Sequence, residues 1–341
     1  MFESAEALAT AQTAATRHVG DILTYAILHT HQRAVVVADE RSALSRTLAE
    51  AYRACLPNAV FVSFDSVSPD QVLQSFADLK AGDLVVLIQS TNFRLGEFRI
   101  RVELFKRGLK VIEHPHLGRM LDDEFGTYID ALAYDPAYYR GVGGALKRLI
   151  DVAPGAVVDS GGERLVYSSA LEPAKLNIGD YTGMTNVGGQ FPIGEVFTEA
   201  RELTSLNGRV RIFVFGDTEF CVNVPPAPIT LEIERGRVTR AIDSTPAFDR
   251  VIAQIQADEE VLVRELGFGM NRALTAERRV SDIGTYERMC GIHLSLGAKH
   301  GVYSKPDLNR RHTRYHVDVF ACTKTVTLGE TVVFRDGAYC V

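Results

Sequence analysis

The chain has 341 residues and a mass of 37.5 kDa, which exceeds one ordinary domain and makes two domains the expected organisation. Apolar residues make up 46% of the chain and charged residues 23%, a composition typical of a globular protein with a large core and not of a disordered chain. The 37 basic and 43 acidic residues give a net charge of −6, so no basic field would attract nucleic acid, which is not an expected partner.

Membrane and disulfide classes are also disfavoured. No apolar run approaches the roughly 18 to 20 residues of a membrane span, and the first residues lack the basic-then-apolar order of a signal peptide. The five cysteines are scattered without a CxxC pair, which argues against a disulfide framework and against a thiolate zinc site. We therefore expect a cytoplasmic protein with reduced thiols and no membrane partner.

Residues 1–165 alternate between helical and strand-like segments. The predicted strands are 33–39, 59–65, 83–89 and 110–113, and the predicted helices are 3–28, 42–55, 69–80 and 95–107. Continuous β-branched runs separated by helices predict a doubly wound parallel sheet, a Rossmann-like α/β domain. No glycine-rich phosphate motif follows the first strand, so no nucleotide site is expected, and the glycine cluster at 141–144 indicates a tight turn.

Residues 166–341 change to the two-residue alternation of antiparallel strands. The predicted strands include 209–215, 220–224, 229–234, 238–242, 261–265 and 315–321, with a hairpin turn at 235–236 and a closing hairpin around 328–330. One helix, 247–257, follows the capping signal of Ser244 and Pro246. The fold class expected is α/β, with a C-terminal α+β, mainly antiparallel domain that carries the functional site. The boundary lies within 150–180.

The motif His316-Val-Asp318 is the sharpest chemical feature. Residues i and i+2 of a strand point to one face, so this imidazole and carboxylate could share a cation. Alone, the motif is more typical of an exposed polar face. However, Glu195, Glu265 and His293 lie in the same half among apolar or glycine neighbours, where an unpaired charge is costly. Glu265 is expected at the end of its strand, where a glycine-rich turn follows, whereas a histidine such as His293 is by itself more often bonded to a backbone carbonyl.

These residues occur in the order and approximate spacing of motifs in a known family. Over residues 185–320 the chain resembles the aminopeptidase T family of metallopeptidases. The matching segments are 191–198 (FPIGEVFT), 265–271 (ELGFGMN), 292–297 (IHLSLG) and 316–318 (HVD).

The resemblance implies a ligand set for two divalent metal ions. His293, His316 and Asp318 would be ligands, Glu265 a bridging or terminal ligand, and Glu195 a ligand or the base that takes a proton from the attacking water. Imidazole and carboxylate suit zinc, cobalt or manganese, and a metal pair can lower the pKa of a water while polarising a carbonyl group. The implied protein is a homodimeric hydrolase that cleaves an amide bond of a short peptide or an amino-acid-like small molecule.

The chain departs from the family pattern at two places. One is the end of the second motif, where Arg272 follows Asn271 and the family has a proline; the other concerns a tyrosine. The family has a tyrosine about seven residues after the histidine that His293 matches; here that residue is His300, and Tyr303 lies three residues further on. Either could be catalytic, as a proton donor or oxyanion stabiliser, and His300 could also be a ligand. The arginine-rich segment before His316 could clamp a substrate carboxylate or be a solvated loop, and its candidates are Arg310, Arg311 and Arg314.

Two other functions stay open. The chain is also similar to iron-dependent 2,5-dihydroxypyridine dioxygenases, with which it shares the segment 230–234 and the terminal His316 and Asp318. Those enzymes hold one Fe(II) with a histidine where this chain has Glu265, so the peptidase-like residues favour the hydrolase. The third possibility is a non-catalytic binding protein on the same fold. The histidine pairs at 29/31 and 114/116 are interpreted as structural.

Overall fold

The computed structural model describes residues 5–93, 100–306, 308 and 312–341. It divides into two compact units, one formed by Met1–Ala137 with Gly179–Ile193 and the other by Tyr138–Ile178 with Gly194–Val341. The first contains a parallel sheet and the second a mainly antiparallel one, so the two-domain α/β fold class is confirmed. Residue 165, where the sequence suggested a boundary, lies within a strand of the second unit. None of the helices in the described ranges is both long and apolar enough to cross a membrane.

The secondary structure elements are numbered along the chain. The helices are α1 (Ala5–Asp21), α2 (Ala43–Cys55), α3 (Pro69–Ser75), α4 (Ile100–Lys106), α5 (Phe125–Ala131), α6 (Pro136–Val152), α7 (Pro246–Asp258) and α8 (Ile283–Tyr286). The strands are β1 (Ala34–Ala38), β2 (Val60–Ser63), β3 (Leu84–Ile88), β4 (Lys110–His114), β5 (Ala156–Asp159), β6 (Arg164–Tyr167), β7 (Lys175–Asn177), β8 (Gly188–Gln190), β9 (Glu195–Glu199), β10 (Leu206–Gly216), β11 (Val222–Asn223), β12 (Ile229–Glu234), β13 (Arg237–Ile242), β14 (Val263–Gly269), β15 (Gly291–Leu296), β16 (Val317–Ala321), β17 (Thr325–Leu328), β18 (Thr331–Arg335) and β19 (Ala338–Tyr339). A π-helical turn, Ile22–Ala26, continues α1.

The sheet of the first unit is parallel, with the strand order β2-β1-β3-β4-β8. Strands β1 and β3 are buried at every residue, as expected for central strands that are covered on both faces. Four of its strands match the predicted ones. The fifth, β8, was not predicted, because three residues with two glycines carry no apolar pattern. Gly188 has a φ of +103°, and a Cβ there would overlap the backbone of Val111.

The helices begin where capping residues predict. Ser42 and Ser68 form capping boxes at α2 and α3, and Thr245 accepts a hydrogen bond from the backbone N–H of Phe248 at α7. Helix α3 ends at Ser75, earlier than predicted, and the predicted helix 95–107 is described only from Ile100 onward.

The prediction of a tight turn at 141–144 was wrong, because these glycines lie inside α6. Gly143 lets the helix approach Ile178, where a Cβ would lie 2.7 Å from the side chain. The absence of a side chain here serves close packing and not a turn.

The main sheet of the second unit has the order β19-β18-β17-β5-β6-β10-β16-β15-β14-β9-β7, and β12 joins β10 and pairs with β13. The predicted hairpin turn at Arg235 and Gly236 is confirmed, with positive φ at both residues. The closing hairpin is also confirmed, as β17 and β18. Four neighbouring antiparallel strands, β9, β14, β15 and β16, carry all but one of the predicted ligands, and His316 lies just before β16.

Candidate metal centre

One face of these four strands is polar and the other is apolar. Residues paired across antiparallel strands point to the same side, and the register pairs Glu265 with Glu199, Gly267 with His293 and Ser295 with Asp318. The opposite face is fully buried and consists of Val196, Leu266, Phe268, Ile292, Leu294 and Val319. Burial of this apolar face fixes the register, and the register in turn brings the carboxylates and the imidazole of the polar face together.

Glu195, Glu265 and His293 converge at one point of the polar face. One ligand atom from each lies within 4.8 Å of the others, and all three residues are buried. The Nε2 atom of His293 is 3.2 Å from Oε1 of Glu195 and 3.2 Å from Oε1 of Glu265. The partners of His293 are therefore carboxylates and not the backbone carbonyl expected for a structural histidine.

Two glycines of β14 make room for this arrangement. Gly267 lies opposite His293, and a Cβ at this position would overlap the imidazole ring. A Cβ on Gly269 would overlap the backbone of Met289. These residues continue the strand, so the expectation that Glu265 ends a strand at a turn was wrong: β14 runs on to Gly269 because its glycines clear space for a ring and a neighbouring backbone segment.

Glu265 presents its two carboxylate oxygens to different histidines. Oε1 faces His293, and Oε2 lies 3.1 Å from Nε2 of His300. The backbone N–H of Glu265 donates to Oγ of Ser295 at 3.0 Å, which anchors the residue. This orientation is what a carboxylate needs if it is to bridge two ions.

His316 and Asp318 are adjacent, as the sequence predicts. Nε2 of His316 is 3.1 Å from Oδ1 of Asp318, and Nδ1 is 3.1 Å from the carbonyl oxygen of Lys299. The carbonyl oxygen of Lys299 can only accept a hydrogen bond, so Nδ1 of His316 must carry a proton. In a neutral ring Nε2 then carries none, and its lone pair points at the carboxylate of Asp318. That contact is favourable only with a second proton or with a cation between the two groups.

Orphaned buried atoms also fit a cation. Among the described residues, Nδ1 of His293 is buried without a hydrogen-bond partner, and the buried Oδ1 of Asp318 has only the 3.1 Å contact with Nε2 of His316. Buried polar atoms are rarely left without a partner. The donor set of imidazole nitrogens and carboxylate oxygens therefore suits a divalent metal ion.

The pKa values express the same electrostatics. Burial would lower the pKa of His293, but hydrogen bonds to Glu195 and Glu265 outweigh it and raise the pKa to about 10. Burial likewise opposes charge on His316, while Asp318 and Glu265 raise its pKa to about 9. Burial would raise the pKa of Glu265, yet the histidines His293 and His300 hold it well below its usual value. The carboxylates of the cluster therefore favour positive charge on the neighbouring histidines.

Basic side chains contact the carboxylate groups of Glu195 and Glu199. Nη1 of Arg288 lies 3.2 Å from Oε2 of Glu195, which leaves Oε1 toward His293. Glu199 is fully buried, 3.0 Å from Nη2 of Arg264 and 3.3 Å from Nζ of Lys305. The sequence analysis missed these residues. Glu199 could have been found as the i+4 partner of Glu195 on one strand face, whereas no local signal marks Arg288.

His300 joins the cluster, and Tyr303 supports it. The two rings are stacked, with centroids 5.3 Å apart and planes 18° apart. The Tyr303 hydroxyl donates to the carbonyl oxygen of Pro173 at 2.7 Å, and burial raises its pKa. Tyr303 therefore anchors its segment, while His300 contacts Glu265.

The arginine candidates are not brought to the cluster by any described contact. Arg310 and Arg311 lie outside the described residues. Arg314 is exposed, and its Nη1 atom lies 2.5 Å from Oδ2 of Asp258.

In the first unit, His114 is structural, as expected. Its ring is fully buried between the hydroxyl groups of Tyr52 at 2.9 Å and Tyr128 at 3.1 Å, and burial lowers its pKa to about 3.

Comparison with solved structures supplies the fold relationship. The structure is similar to that of wild-type AmpT from Thermus thermophilus, with a TM-score of 0.59 over 96% of this chain and 99% of that chain. The chain has the aminopeptidase T fold. The resemblance that the motifs indicated is thereby confirmed at the level of the fold, and the sequence identity is 13%. No protein-family model and no curated protein sequence matches the chain.

Proposed function

We propose that this chain is a metal-dependent hydrolase of the aminopeptidase type, which cleaves an amide bond of a short peptide or an amino-acid-like small molecule. The observation that carries the proposal is the convergence of Glu195, Glu265 and His293 on one buried sheet face. The aminopeptidase T fold supports it, because the cluster lies on the strands whose motifs carry the resemblance.

We assign the residues to two halves of one site. Glu195, His293 and Oε1 of Glu265 form the first half. His316 and Asp318 form the second, which His300 links to Oε2 of Glu265, because Nε2 of His300 is 3.1 Å from that oxygen and its ring centroid is 6.1 Å from that of His316. Zinc, cobalt or manganese would suit these donors. Bound there, the ions would lower the pKa of a water molecule and polarise the scissile carbonyl group.

Glu195 is the candidate for proton transfer. Nη1 of Arg288 lies 3.2 Å from its Oε2 atom, which keeps the carboxylate oriented, while Oε1 faces the cluster. A carboxylate held in this way can bind an ion or take the proton of an attacking water molecule, and the buried surroundings exclude competing solvent.

A cavity of about 770 Å³ is the candidate for the substrate's side chain or leaving group. Gly291, two residues before His293 on the same strand face, lines this cavity, and so does Cys322, two residues after Phe320. Its wall combines apolar side chains with the cations Arg272, Arg279 and Lys324 and the carboxylates Glu277 and Asp336, which suits a small polar molecule, although no residue of the cluster itself lines it.

A second candidate function has one observation in its favour. His316, Asp318 and His300 together provide two imidazoles and one carboxylate, the donor set of mononuclear iron oxygenases. An Fe(II)-dependent ring-cleaving dioxygenase would use this half of the site alone. The homodimer, the cytoplasmic location and substrate binding by Arg310 or Arg311 are further proposals that rest on the resemblance or on residue type, whereas the exposed Arg314 pairs with Asp258 and is not included among them.

The test measures metal content and hydrolysis together. Protein purified without chelator is analysed by plasma mass spectrometry, beside His293→Ala, His316→Ala and the exposed control His312→Ala. Two equivalents of zinc, cobalt or manganese, reduced in the first two variants only, support the hydrolase, as does chelator-sensitive cleavage of aminoacyl amides and dipeptides. One equivalent of iron would favour the dioxygenase. Wild-type protein that binds no added metal would refute both enzymes and leave a binding protein.

A further inference from the structure

His300 occupies a position between two carboxylates. Its Nε2 atom is 3.1 Å from Oε2 of Glu265, the oxygen that does not face His293, and its Nδ1 atom is 3.8 Å from Oε2 of Glu199. The side chain is 3% exposed, and its ring centroid lies 6.1 Å from that of His316. The ring therefore faces the half of the site that holds His316 and Asp318.

We propose that His300 is a metal ligand of that half, together with His316, Asp318 and Oε2 of Glu265, with Glu199 as the carboxylate behind the ring. This inference rests on the proposed metal site. It assigns a ligand at the position where the sequence departs from the family's tyrosine.

The two nitrogens of His300 suit the roles of ligand and anchor. Nδ1 accepts weak hydrogen bonds from the backbone N–H groups of Val302 and Tyr303, at 3.4 and 3.5 Å, and Nε2 faces Glu265. With Nε2 as the ligand atom, the one proton of the neutral ring would lie on Nδ1, 3.8 Å from Oε2 of Glu199, and a metal-bound histidine with a carboxylate behind it is a common arrangement.

The segment around His300 is built to hold the ring in place. Gly297 has a φ of +98°, and a Cβ there would lie 2.5 Å from the carbonyl oxygen of Tyr315. Nη1 of the buried Arg264 donates to the carbonyl oxygen of Ala298 at 2.5 Å. Lys305 donates to the carbonyl oxygens of Ala200 and Arg201, at 2.8 and 3.0 Å. These bonds join the segment to β9 and β14 on both sides of His300.

The two halves of the site would therefore differ in their donor atoms. The half with His300 offers two nitrogens and two oxygens, while the half with His293 offers one nitrogen and two oxygens. Nitrogen donors favour zinc, cobalt or iron over manganese. We therefore expect the His300 half to select the more nitrogen-preferring metal.

The experiment counts metal ions and their imidazole ligands without using activity. Wild-type protein, His300→Ala, His300→Gln and the exposed control His312→Ala are stripped of metal, dialysed against Co²⁺ or Zn²⁺ and titrated by calorimetry. Glutamine can still donate a hydrogen bond to Glu265 but is a poor ligand, so it separates coordination from packing, and thermal melting verifies that each variant is folded. His316→Ala serves as the reference for the affected half.

We expect both His300 variants to bind one equivalent more weakly by more than about 100-fold, beyond the 10- to 100-fold typical of outer partners. That equivalent should be the one lost in His316→Ala, and X-ray absorption should show one imidazole fewer. Wild-type affinity for every equivalent in His300→Gln would overturn the inference and leave the proposed function intact. A wild-type protein that binds no Co²⁺ or Zn²⁺ would overturn both.

Discussion

Gly267 offers a direct test of how the site is built. It lies on β14 opposite His293, is fully surrounded, and a Cβ there would overlap the imidazole ring. In Gly267→Ala either β14 shifts or the ring leaves its position between Glu195 and Glu265. Overpacking of this kind costs about 1 to 3 kcal/mol. In a unit of this size that cost lowers the Tm by roughly 2 to 12 °C.

The displaced ring should also weaken metal binding. We expect the metal ion held by His293 to bind at least about 10-fold more weakly, because Nε2 of His293 would no longer face both carboxylates. Calorimetric titration with Zn²⁺ and thermal unfolding of the metal-free protein measure the two effects separately. The matched control is Gly141→Ala in α6, where a Cβ meets no atom within 4 Å and alanine should stabilise the helix slightly. If Gly267→Ala keeps wild-type Tm and affinity, the close contact between β14 and the His293 ring is refuted.

Four further predictions concern the charges of the site. The pKa of His316 is raised from its ordinary value of 6.5 to about 9, so the metal-free protein should be stabilised by this group below pH 6.5 and lose that stability as pH rises through about 9. Thermal unfolding of metal-free protein across this range should show the loss, and His316→Gln should reduce it while leaving the part that comes from His293, whose pKa is raised to about 10; equal pH dependence in both proteins would contradict the assignment. Glu199→Gln removes the negative charge that the buried cations of Arg264 and Lys305 share, and it should lower the free energy of unfolding in denaturant by about 3 to 5 kcal/mol. A decrease below about 1 kcal/mol would contradict this ion-pair network. Glu195→Gln should lower kcat by about 10²- to 10⁴-fold while the protein stays folded, and an unchanged kcat would exclude Glu195 as base. Arg314→Ala should leave KM within about 2-fold, because its exposed guanidinium pairs with Asp258; a large rise in KM would restore it as a substrate clamp.

The sequence determined the elements and the residue types of the site. Apolar runs of β-branched residues predicted β1, β3 and β4, and the capping signal at 244–246 predicted the start of α7, whose N-cap is Thr245. These features depend on neighbours within a few residues. Likewise, the spacing in 316–318 was sufficient to place His316 beside Asp318, because residues i and i+2 of an extended segment point to the same face.

The tertiary structure decided how distant residues meet. Glu195, Glu265 and His293 lie on three strands from well-separated parts of the chain, and the register of β9, β14 and β15 brings their ligand atoms within 4.8 Å. That register follows from the burial of the opposite apolar face and from the space left by Gly267. No local pattern encodes it.

The same limit explains the residues and elements that the sequence analysis missed. Arg264 and Lys305 are ordinary surface-type residues in the sequence, yet they meet over the buried Glu199. The glycines of α6 resemble a turn until Ile178 is packed against Gly143. Short-range preferences fix the strands and helices, whereas charge pairing and close packing depend on which surfaces the fold places in contact, because those energies act over a few ångströms in space and not along the chain.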